Sequence, residues 1–414
     1  MAPPRISGRP AIRPIAALGP AIALTLLAAP VPGDPARAQR LPVPSGARSV
    51  EVVRPGATVR VGPARSSPRR GTVRVGTRLP LWSRHLGEGC PGGEWIRVGQ
   101  EAFVCETLTR LSAEPPGGDP VPSVPEGQLT PRHHAFVRTD GTWAYARPSD
   151  LVADRWVETL GAGFGVAVVE RRSVRGVELA RTLSGLWVPV SELVFARPSD
   201  FTGVELGPDA DLARLGWVIG ERARPRGTRD VIDRLTPVEV EAWGRRWVEL
   251  ADGRELPRRH LTGPRLAAPP PEAMPGRRWI DVDLDRQVLV AYVGPRPVFA
   301  TLVSTGRRPT STPRGTFRVW VKLAESDMDD LERDDVVENY AIQAVPWVQF
   351  FEGSVALHAA FWHDRFGHRR SHGCVNLAPR DAERLFAFTR PALPAGWDAI
   401  LPTERSPGTV VRVR

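Results

Sequence analysis

Cysteine, long apolar runs and patterned basic strips are all scarce in this chain, and each scarcity narrows what it does. Only 3 cysteines occur in 414 residues. No apolar stretch is long and unbroken enough for a spanning helix, which needs about 20 residues. A hydrophobic share of 42% and a charged share of 25% are ordinary for globular proteins, which excludes general disorder and a multi-spanning membrane protein. The net charge of +10 comes almost entirely from arginine, and a basic surface attracts polyanions. Yet no basic strip interleaved with aromatics and no recognition-helix pattern accompanies it, so nucleic acid is not an expected partner. The abundance of arginine, alanine, proline and glycine together reads as codon bias. At this length the chain needs two to four hydrophobic cores.

What is present begins with an export signal, expected over residues 1–38. Arg5, Arg9 and Arg13 precede the apolar run 15–29, and Ala36-Arg37-Ala38 supplies small residues for cleavage. Gly19 and Pro20 interrupt the run, which argues against a retained anchor and leaves no membrane contact beyond export. No cysteine follows the run to carry a lipid. An exported protein meets oxidising surroundings, where Cys90 and Cys105, close together in one small segment, are expected to form a disulfide. Cys374 is left over, either a partner-seeking thiol or a reactive one.

Two proline-rich stretches, within 113–130 and 269–276, read as exposed linkers because proline extends neither a helix nor a central strand. Before residue 268, short runs of valine, leucine and tryptophan alternate with polar residues between glycine and proline turns, a pattern of small β-barrels or sandwiches. We expect one module over 49–112 and one or two more over 131–268. A repeat supports reuse of one unit: Ala146-Arg147-Pro148-Ser149-Asp150 recurs as Ala196-Arg197-Pro198-Ser199-Asp200. Trp95-Ile96-Arg97-Val98, Trp187-Val188-Pro189-Val190 and Trp247-Val248-Glu249-Leu250 share a looser pattern.

From Arg278 onward the pattern predicts successive strands: an alternating hairpin over 279–293, then strands over 298–304 and 315–323. The acidic span 327–338 reads as a loop or short helix, and Pro379 opens a helix. We expect a mostly-β domain over 277–402 and a tail over 403–414.

Chemistry concentrates in Leu357-His358-Ala359-Ala360-Phe361-Trp362-His363, Phe366-Gly367-His368-Arg369-Arg370 and Ser371-His372-Gly373-Cys374-Val375-Asn376. Four of the eight histidines gather around the leftover cysteine. A thiolate is the reactive form of cysteine, and a nearby imidazole removes the proton or stabilises the charge. Gly373 lets the turn bend tightly and lets backbone N–H groups approach an oxygen that becomes negative.

The block Ser371-His372-Gly373-Cys374-Val375-Asn376, with an upstream histidine in a Leu-His-Ala setting, resembles the signature of YkuD-type L,D-transpeptidases. Upstream, Trp279-Ile280-Asp281-Val282-Asp283-Leu284, Gln287-Val288-Leu289, Val303-Ser304-Thr305-Gly306 and Thr312-Pro313-Arg314-Gly315-Thr316-Phe317 resemble the same family in the right order. The segment 49–112 resembles a bacterial SH3-like wall-associated domain through Val59-Arg60-Val61-Gly62-Pro63 and Trp95-Ile96-Arg97-Val98; a wall-binding module and a spacer without ligand both fit it. The resemblance implies a fold in which small SH3-like β modules precede a YkuD-like β-sandwich. It implies Cys374 as nucleophile attacking the carbonyl before the terminal D-residue of a tetrapeptide stem, His358 as base, and His372 shaping the oxyanion pocket. Backbone N–H groups of Gly373 and Cys374 would hold the oxyanion, and the Ala359 carbonyl would orient His358. Ser371, Asn376, Trp362 and Arg370 would line the substrate site. Ala359 stands where many members have glycine, and His358 lies close in sequence to Ser371.

No cofactor is implied. The expected partners are peptidoglycan stems met in the periplasm or cell wall. Three alternatives stay open: a carboxypeptidase using water, an enzyme attaching a protein to peptidoglycan, and a non-catalytic wall-binding protein. A zinc site built from His358, His363, His368, His372 and Cys374 is disfavoured, because no helical His-x-x-x-His pair with an adjacent glutamate occurs. Oligomeric state is not legible.

Overall fold

A computed structural model of the chain describes residues 40–329 and 341–414. The expected signal segment 1–38 and residues 330–338 of the acidic span lie outside the described residues.

Two sheets sandwich the C-terminal core. The first orders Val204–Glu205, Arg296–Leu302, Val288–Val293, Arg278–Asp283, Val410–Val413 and Gly315–Arg318. The second is formed by Val321–Asp329, Ala341–Glu352, Val355–Ala359, Val375–Leu377 and Trp397–Ile400. Alternation explains the packing. On Arg278–Asp283, Ile280 and Val282 enter the inter-sheet core with Trp347, Leu357 and Leu377, while Trp279 turns to the opposite face beside Tyr292 and Trp217. Asp281 and Asp283, also buried, are neutralised by Arg412, Arg414 and Arg265 at 2.6 to 3.2 Å, as buried carboxylates require. Asp283 also accepts the N–H groups of Asp285 and Arg286, both at 3.1 Å, which closes the hairpin turn.

The helix is Pro379–Phe388, opened by proline. Asp381 in its first turn accepts from Thr202 Oγ1 at 2.8 Å, Gly203 N at 3.0 Å and Thr301 Oγ1, tying residues 202–203 to the C-terminal fold. Lys322, the single lysine of the sequence, is fully buried and donates to Phe386 O at 2.5 Å and Thr389 O at 3.2 Å.

Three smaller cores precede this domain. The first gathers Val50, Val59, Ile96 and Val104, with Trp397 contributed by the C-terminal domain; its Cys90 and Cys105 are joined in a disulfide. The second holds Ala135, Val166, Ala180 and Val188, the third Val218, Val240, Val248 and Leu256. Each ends in the same way, with a strand, one 3-10 turn and another strand: Ala102–Cys105, Glu106–Leu108 and Thr109–Ser112; Trp187–Pro189, Val190–Glu192 and Leu193–Phe195; Glu255–Pro257, Arg258–His260 and Leu261–Thr262. Arg69–Val73 of the first pairs antiparallel with Trp397–Ile400, continuing the second sheet of the C-terminal sandwich.

Several expectations change. Residues 403–414 are no tail, because Val410–Val413 is a buried strand lying parallel to Arg278–Asp283 and antiparallel to Gly315–Arg318. The C-terminal fold therefore does not stop at residue 402. The run 315–323 divides because the chain crosses between sheets: Val319 is buried in the inter-sheet core, and Trp320, 47% exposed, marks the crossing. The pentapeptide repeat has two different structures. Asp150 is buried on a 3-10 turn between Arg147 and Arg155, whereas Asp200 is exposed outside any helix or strand. Identical residues took different places because their tertiary partners differ. The linker 113–130 is laid against the protein, with Gly117 bonded both ways to Arg78 and Asp119 O accepting Gly396 N–H at 2.8 Å.

Candidate active site

Val355–Ala359 and Val375–Leu377 run parallel, with Leu357 opposite Val375 and His358 opposite Asn376. Leu357, Ala359, Val375 and Leu377 fill the inter-sheet core. The two-residue period of a strand therefore turns His358 and Asn376 to the other face. Cys374, just before the second strand, continues that face and packs with Ala356, Phe361 and Trp362. His358 and Cys374 line one cleft of ≈ 540 Å³, together with Ser371, His372, Asn376, Trp362 and Arg370.

His358 is buried, and its Nδ1–H donates to Ala359 O at 3.0 Å, which leaves Nε2 as the basic nitrogen. Ala359 is buried with its methyl in the core, so the methyl is accommodated here. Trp362 stacks on the imidazole with ring centroids 5.8 Å apart. Burial pushes His358 down to about 4, against the Ala359 bond. Cys374 is part-exposed, yet the dense shell around its sulfur pushes the thiol up to about 11. Both shifts have one cause, the penalty on a charged form removed from water.

The turn carrying Cys374 is held from three sides. Ser371 Oγ donates to Cys374 O at 2.5 Å and accepts Gly373 N–H at 3.2 Å. Gly373 has φ 132, a left-handed value that favours glycine. Its carbonyl accepts from Thr312 Oγ1 at 2.7 Å, and Thr312 Oγ1 in turn accepts Gly306 N–H at 2.9 Å. Thr305 O takes the N–H groups of Arg370 and Ser371 at 2.9 and 3.1 Å, and Gln287 holds Thr305 from behind, its amide donating to Thr305 Oγ1 at 2.6 Å and accepting Thr305 N–H at 2.8 Å.

His363 and His368 brace the loop between the two central residues. His363 Nδ1 accepts Arg365 N–H at 3.2 Å, so its proton sits on Nε2, 3.0 Å from the Asn376 carboxamide. Asn376 Oδ1 is buried and otherwise unpartnered; it is the atom able to accept that proton, which turns the amide NH₂ the other way. Burial and then Arg370 push His363 down to about 3. The third module clamps the same loop: Ile219 O is 2.9 Å from His368 Nε2, Arg234 pairs with Asp364 at 2.5 Å, and Glu221 pairs with Arg365. His372 is exposed at the cleft. Among the described residues no group of three or more His, Cys, Asp or Glu side chains is placed to hold a metal ion, and no helix is long and apolar enough to cross a membrane.

The residues gathered from the signature meet in the cleft. Reading along the chain missed Gln287, Thr305 and Thr312 as supports of the turn, although each lies in an upstream segment that resembles the family. It missed Phe136 and Gly163 entirely. These line the cleft from the second module, and no local signal marks them.

Comparison with known proteins finds matches to part of this chain. No curated protein matches the chain. Among solved structures, a cysteine-to-serine mutant of an Enterococcus faecium L,D-transpeptidase is 24% identical over 33% of this chain and 49% of its own, with TM-score 0.26. A Stackebrandtia nassauensis L,D-transpeptidase is 24% identical over 34% and 58%, with TM-score 0.24. The catalytic domain of the E. faecium enzyme is 25% identical over 34% of this chain and 98% of its own, with TM-score 0.26. The matched part of this chain thus spans about half the length of the first two. The family YkuD, described as the L,D-transpeptidase catalytic domain, matches residues 277–413. Residues 277–413 are thus similar to the YkuD family of L,D-transpeptidase catalytic domains.

Proposed function

We propose that this chain is an exported peptidoglycan L,D-transpeptidase working through a Cys374 acyl-enzyme. The observation that carries the reading is the parallel pairing that turns His358 and the Cys374 turn to one face of one cleft. Cys374 Sγ attacks the carbonyl before the terminal D-residue of a donor stem while His358 Nε2 takes the thiol proton. The C–N bond then breaks, and His358 returns that proton to the leaving amine. A second stem's amine attacks the thioester, its proton passes to His358, and the thiolate leaves and is reprotonated. Water in place of the amine gives carboxypeptidase chemistry.

Burial disfavours both the thiolate and the imidazolium. The pair therefore rests neutral, and the proton moves as the sulfur attacks, which is general-base catalysis. Nδ1 bonded to a backbone carbonyl keeps Nε2 available, the part a carboxylate plays in other triads. Gly373 and Cys374 N–H groups are the proposed oxyanion donors. Gly373 N–H must exchange its 3.2 Å bond to Ser371 Oγ for the oxyanion, a charged acceptor that binds more strongly. His372 borders the same pocket, and Arg370 and Asn376 contact donor polar groups. The SH3-like reading of residues 49–112 rests on the sequence resemblance of Val59-Arg60-Val61-Gly62-Pro63 and Trp95-Ile96-Arg97-Val98.

The deciding experiment is intact-protein mass spectrometry after incubation with a tetrapeptide stem or a carbapenem, beside Cys374→Ala. An adduct on the wild type alone supports the acyl-enzyme route. Absence of any adduct, with binding to cell-wall material retained, replaces the reading with a wall-binding protein.

A further inference from the structure

The second module reaches the cleft although nothing in its sequence suggests chemistry. Phe136, on the strand His133–Val137, and Gly163 line the cavity that holds His358 and Cys374. Independent contacts hold the module there. Gly165 pairs in parallel with Ile342. A Cβ on Gly165 would lie 3.0 Å from Ile342 Cγ2 and 3.1 Å from Phe136 Cε1, so the missing side chain permits the approach. Gln343 Oε1 accepts Ala167 N–H at 3.1 Å, and Arg132 donates to both oxygens of Glu325 at 2.8 and 2.7 Å. His134 stacks on Phe361 and bonds Ala344 O. Ala344 has φ 50, and Asp327 Oδ1 accepts its N–H at 2.8 Å. A left-handed alanine is costly unless its neighbours hold it, and one of its two holds comes from the second module.

The lining of the cleft divides by charge. On the Ser371 side stand Arg307, whose N–H donates to Ser371 O at 3.0 Å, and Arg370. On the side of the second module stand Asp327 and Asp329 with the apolar Phe136 and Met328, which packs into the same apolar cluster. We propose that the second module is the acceptor-side wall of the catalytic cleft, and that Phe136 governs which acyl acceptor reaches the Cys374 thioester. This rests on the transpeptidase reading above. An aliphatic chain ending in a primary amine fits that side: its methylenes lie against Phe136 and Met328, and the acids attract its protonated form. Once deprotonated, its nitrogen attacks the thioester carbon, the C–S bond breaks, sulfur leaves as thiolate, and the proton released by nitrogen reaches sulfur through His358. The carboxylates of a donor stem fit the arginine side.

The test uses the purified full chain with Phe136→Ala and Phe136→Trp, in two measurements. In the first, Cys374 is acylated by a tetrapeptide stem, and the partition of the thioester between water and an amine-bearing stem is followed by mass spectrometry. Phe136→Ala is expected to lower aminolysis about tenfold more than it lowers acylation, and so to shift the partition toward water, the scale of a lost apolar pocket contact. In the second, labelling rates of Cys374 by iodoacetamide and by a pyrene maleimide are compared, which requires no turnover. The ratio of bulky to small labelling should rise in Phe136→Ala and fall in Phe136→Trp. If the wild type is not acylated, the transpeptidase reading fails while the labelling ratio still judges the wall. An unchanged ratio overturns the wall. Acylation and aminolysis falling in parallel overturns the acceptor role, because a mere brace for Phe361 slows both steps alike.

Discussion

The imidazole of His134 lies flat on the ring of Phe361, with centroids 3.8 Å apart and planes 20° apart, and so joins the second module to the loop that follows His358. His134 is buried, its Nε2 is 3.3 Å from Ala344 O, and its Nδ1 is buried without a partner. Burial pushes it down to about 4. An unfolded histidine titrates near ~6.5. The folded value is depressed, so the stability is fully present above the unfolded value. It is lost as pH falls toward the folded one, where the unfolded chain binds a proton that the folded chain refuses. His358 and His363, pushed down to about 4 and about 3, act in the same direction. Thermal melts should therefore show a falling Tm from pH 7 to pH 4, each unit of depression costing roughly 1.4 kcal/mol. His134→Phe keeps the stack and removes the orphan nitrogen, so its Tm should fall less steeply; identical slopes would count against the assignment.

Cys374 should behave as a suppressed thiol until substrate arrives. With its thiol pushed up to about 11, iodoacetamide labelling of the resting enzyme should still be climbing at pH ~10, where an ordinary thiol of pKa ~8.5 has levelled. His358→Ala should lower acylation by about 10²- to 10⁴-fold, the usual worth of a positioned base. A labelling curve that levels near pH 7 would mean a preformed thiolate and a different resting state.

Gly373 tests backbone geometry apart from side-chain space. A Cβ there meets nothing nearer than Thr310 O and Val355 Cγ2, both at 3.8 Å, yet φ is 132. Gly373→Ala should thus cost about 1–3 kcal/mol of strain and cut acylation about a hundredfold through a displaced turn, with the fold retained by circular dichroism. Wild-type acylation in this variant would show that the left-handed turn is dispensable.

Removing residues 403–414 should prevent folding rather than trim a tail. Val410–Val413 lies between two strands of the first sheet, and Val411 and Val413 are buried in the inter-sheet core. The deletion exposes two strand edges and that core. Soluble truncated protein with native circular dichroism would contradict this.

The candidate site residues were legible because they lie close together in one histidine-rich stretch of the sequence. Cys374, His358 and Gly373 fall within a stretch whose spacing marks a turn, and the alternation of Trp279 to Asp283 marks a two-faced strand. Their supports were less legible. Gln287 acts on Ser371 through Thr305, across a loop whose path depends on sheet pairing. Residues 410–413 look like a terminus because the two strands that pair with them lie far away in sequence.

Local pattern, set by strand alternation, glycine turns and the reactivity of a thiol beside histidines, determined a β protein with a cysteine site near its C-terminal end. Only the tertiary structure decided that Phe136 and Gly163 line that site and that His134 stacks on Phe361 beside it. Their approach to the catalytic domain depends on a missing Cβ at Gly165 and a buried stack on Phe361, contacts between residues more than 170 positions apart. No local preference of the chain encodes such contacts, because their free energy arises only when both surfaces are already formed.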